Sequence, residues 1–481
     1  MMMTLQDAAT AMNGQFEGDA DGVTFDAVST DSRSIGFGML FVALAGERFD
    51  AHDFVVEVAR RGALAAVVRR DRVAGLAAEL ANDPLTRGRP LIAVDDPRLA
   101  LGRLASVWRQ RFAIPVVAVT GSNGKTTTKE MIAAILRAQA VIDGAGPESV
   151  LATQGNLNND IGLPLTLLGL RANHRYAVVE LGMNHPGEIA YLAEIARPDA
   201  AVVVNALRAH LEGLGSLDAV AREKGSIFEH LKDNGVAVIA VDSEFAGLWK
   251  QQAGSRRTLG FSLQGQGDFN SEVKLAALGA RIVLDTPSGV ARIFLQAPGQ
   301  HNAHNATAAA ALCLAAGISL AAVEKGLATY AGVKGRLQRR NAIHGGLLID
   351  DTYNANPDSV RAAIEVLAGL PEAAPKLLVL GDMAETGSQA VEYHREVGAY
   401  AREKGIDRLF ALGTLSTHAV SAFGAGSQHF ASPEALADVL KPLVTPASAV
   451  LVKGSRFMRM ERVVALLEAP VDPNQGAATC C

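Results

Sequence analysis

The feature that most restricts this 481-residue chain is a rhythm. Short, continuously apolar, β-branched runs alternate with helix-length Ala/Leu-rich segments along its length. The runs fall at 40–44, 65–68, 91–94, 116–120, 177–181, 201–205, 236–241, 347–350, 377–380, 409–412 and 450–453. A strand with one wet face alternates polar and apolar residues; a strand covered by helices on both faces does not. The pattern predicts an α/β protein built on mostly parallel sheets. Residues 268–295 depart from it and read as short alternating strands at 273–278, 280–284 and 289–295, so an antiparallel patch is expected there. At 109–115 a charged helix end runs into Ile114-Pro115, and 332–340 is Gly-bearing and basic. These breaks divide the chain into three expected domains: 1–112, 113–335 and 336–481.

Composition removes several classes. Hydrophobic residues make up 49%, which argues against global disorder. Lys plus Arg total 45 against 50 Asp plus Glu, a net charge of −5, without the basic excess of a nucleic-acid or anionic-membrane binder. The first residues lack the basic and apolar regions of a signal peptide. The longest uncharged stretch, 306–323, is interrupted by Gly317 and Ser319 and reads as two helices, not a membrane span. Cys313, Cys480 and Cys481 have neither disulfide nor zinc spacing. A cytoplasmic protein with no nucleic-acid partner and no integral membrane segment is expected.

The sharpest local signal is the apolar run 116–120 followed by Gly121-Ser-Asn-Gly-Lys-Thr-Thr127, with a helix expected to begin at or near Lys125. Glycines at 121 and 124 let backbone N–H groups turn inward, and the helix start adds roughly half a positive charge. Lys125 can then reach outer phosphates and the Thr126 hydroxyl can ligate Mg²⁺. The strict phosphate-loop pattern has a glycine where Val119 stands, so this is a shortened variant. The bland alternative is a Gly-containing strand–helix turn with an exposed lysine; the glycine spacing with the strand before it and the helix after it favours nucleotide binding.

Three more groups have suitable chemistry. Glu180 ends an apolar run, at the sheet edge where open α/β folds bind ligands. His210 lies in a post-strand loop, and Lys224 in an expected helix over 220–231. Taken singly, each has a bland explanation as a satisfied surface carboxylate, a loop histidine or a solvated lysine. Beside a phosphate loop, Glu180 and His210 become plausible Mg²⁺ ligands. In the last third, Asp350-Asp-Thr-Tyr-Asn-Ala-Asn-Pro357 ends a strand in two carboxylates and opens a helix at Pro357 or Asp358. A carboxylate there could take ribose hydroxyls, with Tyr353 against a base, although Asx-rich turns also simply cap helices.

Together these segments resemble the Mur ligases, ATP-dependent amide-forming enzymes of peptidoglycan precursor synthesis. The resemblance covers nearly the whole chain, in order: Asp31-Ser-Arg33, Leu40-Phe-Val-Ala-Leu-Ala-Gly-Glu47, the phosphate loop, Gly155-Asn-Leu-Asn-Asn159, Glu180-Leu-Gly-Met-Asn184, His210, Glu223-Lys-Gly-Ser-Ile-Phe228, Gly299-Gln-His-Asn302, Gly335-Arg336, the 350–357 turn and Lys453-Gly-Ser-Arg456. The 350–357 turn, the 155–159 stretch and 453–456 look like the branch that adds a dipeptide. The Asp-Asn-Pro-Arg box of the diamino-acid-adding branch is not found after 336. One departure is Asp50-Ala-His52, where relatives carry Asp-Gly-His, which puts that loop's geometry in question.

The resemblance implies a small α/β N-terminal domain, a central P-loop-type domain and a Rossmann-like C-terminal domain in a monomer. The substrates would be ATP, UDP-N-acetylmuramoyl-tripeptide and D-alanyl-D-alanine. Ser32, Arg33 and Arg48 would lie near the uridine diphosphate. Gly121, Ser122, Asn123, Gly124, Lys125, Thr126 and Thr127 would hold ATP. Thr126 and Glu180 would share one Mg²⁺, and His210 would approach a second. Lys224 matches a lysine that relatives carbamylate. Asn305 would face adenine, Arg336 the phosphates and Asp351 the ribose, with Tyr353 beside the base. Asn354, Asn356, Lys453 and Ser455 would serve the dipeptide side. Lys125, Glu180, His210 and Lys224 form the implied catalytic set, and closure of the last domain over the central one would exclude water. A folate polyglutamylating ligase shares the loop and lysine but not the uridine-binding first third. A P-loop motor would hydrolyse ATP without an amino acceptor, and a non-catalytic module would tolerate loss of Glu180.

Overall fold

The computed structural model describes residues 1–17, 22–47, 49–276 and 279–470. Arg48, Cys480 and Cys481 lie outside these residues. Three main sheets follow one another along the chain. The first orders its strands Gln15–Glu17, Leu91–Val94, Ala65–Arg69, Met39–Val42 and Ala27–Ser29, parallel except for the first pair.

The second sheet has nine strands. Val116–Thr120 lies between Tyr176–Glu180 and Ala200–Val203, with Val150–Ala152 beyond the former and Val236–Ala240 and Arg257–Ser262 beyond the latter, all parallel. The chain goes first to one side of Val116–Thr120 and then to the other, so this strand is the topological switch point, where the carboxyl ends of an open sheet leave a crevice. The far edge is the expected antiparallel patch, Phe269–Ala276, Gly279–Thr286 and Gly289–Leu295. The third sheet orders Gln338–Asn341, Leu347–Asp351, Ala449–Lys453, Lys376–Gly381, Arg408–Leu412 and Ser427–Phe430, only the first pair antiparallel.

The central strands are buried because they are almost wholly apolar, and the one charged residue among those below, Lys453, is paired with Asp351. All five residues of Val116–Thr120 are buried, as are all of Val236–Ala240 and Ala449–Lys453. Each valine or isoleucine so enclosed contributes about 1.5–3 kcal/mol. The helix Pro97–Gln110 joins the first sheet to the second. Its inner residues share one apolar core with the central sheet, and Trp108 Nε1 donates to Leu170 O at 3.2 Å. Arg109, read from the sequence as a charged helix end, is buried. It donates to Ala196 O at 3.2 Å and Phe112 O at 2.8 Å, and pairs with Asp199 at 3.3 Å.

The 306–323 stretch is two helices, Gln300–Ala315 and Leu320–Ala328, the second capped by Ser319. The expected helix over 220–231 instead runs Leu217–Gly225 from a Ser216 cap and tightens to a 3₁₀ turn over Ser226–His230. Ser226 Oγ donates back to Glu223 O at 2.6 Å there, a bond that competes with helix continuation. The Asp50-Ala-His52 departure is harmless. Ala51 opens the 3₁₀ turn Ala51–Phe54 at a negative φ, capped by Asp50. Among the described residues no helix is long and apolar enough to cross a membrane.

Candidate active site

A cavity of about 540 Å³ lies where the carboxyl ends of the second and third sheets meet. Its floor is the turn after Val116–Thr120. Gly124 has φ +81° and lies beneath Asn305; a Cβ there would come within 2.5 Å of Asn305 Oδ1. The helix Lys125–Ile142 starts immediately after it, with its free N–H groups aimed at the turn. The segment after Ala200–Val203 holds the turn open. Ser122 N donates to Asn205 O (3.0 Å), Asn123 N to Asn205 Oδ1 (2.9 Å) and Leu207 N to Ser122 Oγ (2.9 Å). Lys125 Nζ rests on Gly121 O at 2.7 Å. Loss of solvation in the cleft lowers its pKa against the opposing pull of Glu180. That site favours an arriving polyanion, which would supply the missing counter-charge. Gly124→Ala is expected to cost about 1–3 kcal/mol and to abolish tight nucleotide binding; urea unfolding and nucleotide titration that both match the parent would contradict this loop geometry.

Glu180 is buried at the end of its strand. Asn158 Nδ2 donates to its Oε1 at 2.8 Å, while Oε2 is buried with no hydrogen-bond partner among the described residues. An orphaned carboxylate oxygen and the Thr126 hydroxyl in one cavity are the hard-oxygen chemistry that Mg²⁺ takes. No three His, Cys, Asp or Glu side chains form a ready-made metal cage among the described residues. Mg²⁺ commonly completes its shell with water and substrate phosphates, so the donors present fit that ion. His210 stands in a left-handed conformation (φ 58°), with Nδ1 2.9 Å from Glu385 of the third region. The His210 hydrogen bond, followed by its charge and that of Lys125, lowers the Glu385 pKa against the effect of burial. Lys224 is buried behind the wall and does not line the cavity. Burial, then the like charge of Lys125, drives its pKa well below the usual lysine value.

The third region closes the roof. Asp351 and Lys453 end neighbouring parallel strands in direct register, and Lys453 Nζ donates to Asp351 Oδ2 at 2.6 Å and Asn354 O at 2.9 Å. Arg336 lies 4.1 Å over the Tyr353 ring and donates to Thr126 Oγ1 at 2.9 Å. Asn356, expected on the dipeptide side, makes a reciprocal amide pair with Asn123 of the loop (2.7 and 3.2 Å) while capping the helix Pro357–Ala368. Ser455 does not line the cavity; it accepts from Ala384 N at 2.7 Å and donates to Ala355 O at 3.2 Å. Gly121 shapes the turn without lining it. Ser32 and Arg33 lie on the first region, outside the cavity. Arg33 is bonded to Asp31 at 2.8 and 2.9 Å, and holds that carboxyl down to about 2.

The arrangement has counterparts among known proteins. Three family profiles match in succession: the Mur ligase family catalytic domain over 24–109, the Mur ligase middle domain over 119–313 and the Mur ligase glutamate ligase domain over 335–456. The UDP-N-acetylmuramoyl-tripeptide–D-alanyl-D-alanine ligase of Escherichia coli is 44% identical over 97% of this chain and 98% of its own.

The chain belongs to the Mur ligase family.

A solved MurF structure from Acinetobacter baumannii superposes with TM-score 0.86 at 38% identity, covering 96% of this chain and 98% of that one. The Thermotoga maritima MurF ligase, solved with ADP, gives 0.79 at 30% identity, covering 93% and 97%. This Mur ligase also places residues in the cavity that were not singled out from its sequence. Asn302 donates to Pro298 O at 2.7 Å and accepts from Asn305 at 3.4 Å; its position in the quoted Gly299–Asn302 segment was the available signal. Glu385 follows the strand Lys376–Gly381, and the strand-end argument that selected Glu180 would have found it. Arg98 is the cavity's one lining residue from the first 112 among those described, and nothing in its local sequence marked it.

Proposed function

We infer that this Mur ligase uses ATP to join D-alanyl-D-alanine to UDP-N-acetylmuramoyl-tripeptide through an acyl phosphate. The observation that carries the reading is the phosphate turn, with Lys125 beneath it and the orphaned Glu180 oxygen beside it, inside one cavity roofed by Arg336, Asp351 and Tyr353. Neither a carboxylate nor a dilute ammonium group condenses unaided. The tripeptide carboxylate attacks the γ-phosphorus of ATP, ADP leaves, and the amine of the dipeptide then displaces phosphate from the acyl carbon.

The chain's own groups do the positioning. Turn amides and Lys125 receive the β- and γ-phosphates and neutralise charge that spreads onto them during transfer. Arg336 bridges the loop hydroxyl of Thr126 and the face of Tyr353, so it can meet phosphate while Tyr353 flanks the base. Asn305 borders the same space for adenine. Asp351 is oriented by Lys453, which leaves it fewer free lone pairs for the ribose than an isolated carboxylate would have. Thr126 and Glu180 would hold one Mg²⁺, and His210, steadied by Glu385, would face a second. The ion supplies Lewis-acid neutralisation of the phosphate oxygens.

Domains divided at 112/113 and 335/336 fit this assignment, because the strands of each main sheet lie within one of them. Asn354 and Lys453, which line the cavity, remain our assignment for the dipeptide side. Ser32, Arg33 and Arg48 remain our assignment for the uridine diphosphate end. A monomer, working in the cytoplasm where these substrates are made, completes the reading.

Lys224 fits carbamylation because burial, then the like charge of Lys125, disfavours the charged form of its amine, and only the neutral form adds carbon dioxide. A carbamate there would place an anion within the electrostatic reach of Lys125. We expect activity in CO₂-stripped buffer to fall severalfold and to return on adding bicarbonate, with a ¹³C carbamate resonance that Lys224→Arg lacks. Full activity without CO₂ and no such resonance would contradict the modification.

A further inference from the structure

Residues 205–210 have two sets of contacts that alternate along the backbone. Asn205 and Leu207 hold the phosphate turn, through Asn123 and Ser122. Arg208 and His210 reach the third region instead. The Arg208 backbone N–H donates to Asp358 Oδ2 at 2.9 Å, and its guanidinium donates to Asp358 Oδ1 at 2.6 and 3.0 Å. The same guanidinium grips Glu396 at 2.7 and 3.0 Å. Arg361 pairs with the same Glu396 at 3.2 Å, so two cations balance two carboxylates. The Arg208 guanidinium also lies 5.1 Å from the Tyr393 ring centroid. These partners are 150 and 188 residues away in the chain, on the helices Pro357–Ala368 and Ala390–Glu403. The first of these begins at Asn356, whose amide pairs with Asn123 of the phosphate turn. Both ends of the contact therefore return to the same four-residue turn.

We propose that residues 205–210 form a tie between the phosphate turn and the third region, with Arg208 as the positioning residue that keeps the roof shut while the acyl phosphate exists. The proposal rests on the ligase reading above. A charge-assisted contact, bidentate on Glu396 and with two guanidinium N–H groups on Asp358 Oδ1, is stronger than neutral hydrogen bonds and requires one relative placement of its partners. Without it the closed arrangement loses its firmest polar link, water reaches the acyl phosphate, and the anhydride is hydrolysed to carboxylate and phosphate before the amine arrives. Nucleotide is then consumed without an amide bond. Phosphate binding in the turn and the chemistry of Lys125 are untouched by this change.

The test compares parent, Arg208→Ala and Glu396→Gln proteins, measuring ADP and amide product together and recording small-angle scattering without ligands. We expect the parent to release one ADP per amide bond. In Arg208→Ala the ratio should rise to about three or more, and the radius of gyration should increase. Glu396→Gln keeps the Asp358 contact, so it should show a smaller rise in the same direction; it decides the matter if Arg208→Ala folds poorly. General structural damage would lower ADP and amide equally and leave the ratio at one. Ratios of one in both variants, with scattering identical to the parent, would overturn the proposal. Expansion of Arg208→Ala alongside a parent that makes no amide would support the tie and overturn the ligase reading instead.

Discussion

Replacing Lys125 with alanine is expected to lower kcat by about 10³-fold, the cost of removing a group aimed at developing transition-state charge, and to leave the fold intact. Among the described residues the lysine donates hydrogen bonds to two carbonyls of its own turn, Gly121 O and Ser122 O, and none to another element. Its charge is already disfavoured by loss of solvation in the cleft. Removing it should therefore leave the thermal midpoint unchanged or slightly raised, while the transferring phosphoryl group loses its nearest fixed cation. The combination is diagnostic, because a misfolded variant loses activity and midpoint together. Coupled ADP release and differential scanning calorimetry on one preparation check it. An alanine variant within threefold of the parent would remove the phosphate turn from the chemistry.

Glu180→Gln is the second large effect, about 10²-fold in kcat, with the Mg²⁺ concentration for half-maximal rate shifted upward. Glutamine is almost isosteric and keeps an oxygen for Asn158 Nδ2, so the 2.8 Å contact survives. It replaces the orphaned Oε2 with an N–H₂ group that repels a cation. A buried oxygen with no partner contributes nothing to stability, so the unfolding midpoint should hold or rise. A Mg²⁺ dependence identical to that of the parent would show that the oxygen is not a metal ligand.

Much of the frame was legible because burial on both faces leaves a one-dimensional trace. Val116–Thr120 and Leu91–Val94 emerged with the expected bounds. Strands that escaped notice are mostly edge or near-edge elements, such as Gln338–Asn341, whose sequence Gln-Arg-Arg-Asn is polar because solvent meets it, and Ser427–Phe430. Val150–Ala152 was too short to register. In the site, motif residues were readable, Asn305 and Arg336 only through the family resemblance: Lys125, Thr126, Glu180, His210, Asn305, Arg336, Asp351, Tyr353 and Lys453 all line the same cavity. What sequence could not give was the use made of them. Asn356 bonds the turn as well as its own helix, Ser455 braces a loop, and Arg208 finds its partners more than 100 residues away. Such pairings arise from docking of one sheet against another and leave no local pattern.

The most direct test of the account is ADP release in the presence of UDP-N-acetylmuramoyl-tripeptide, with D-alanyl-D-alanine or single amino acids as acceptor and the amide product followed by mass. We predict rapid turnover with the dipeptide, one ADP per product, and little with any single amino acid. ADP release that ignores the acceptor, or that no muramoyl tripeptide stimulates, would contradict it.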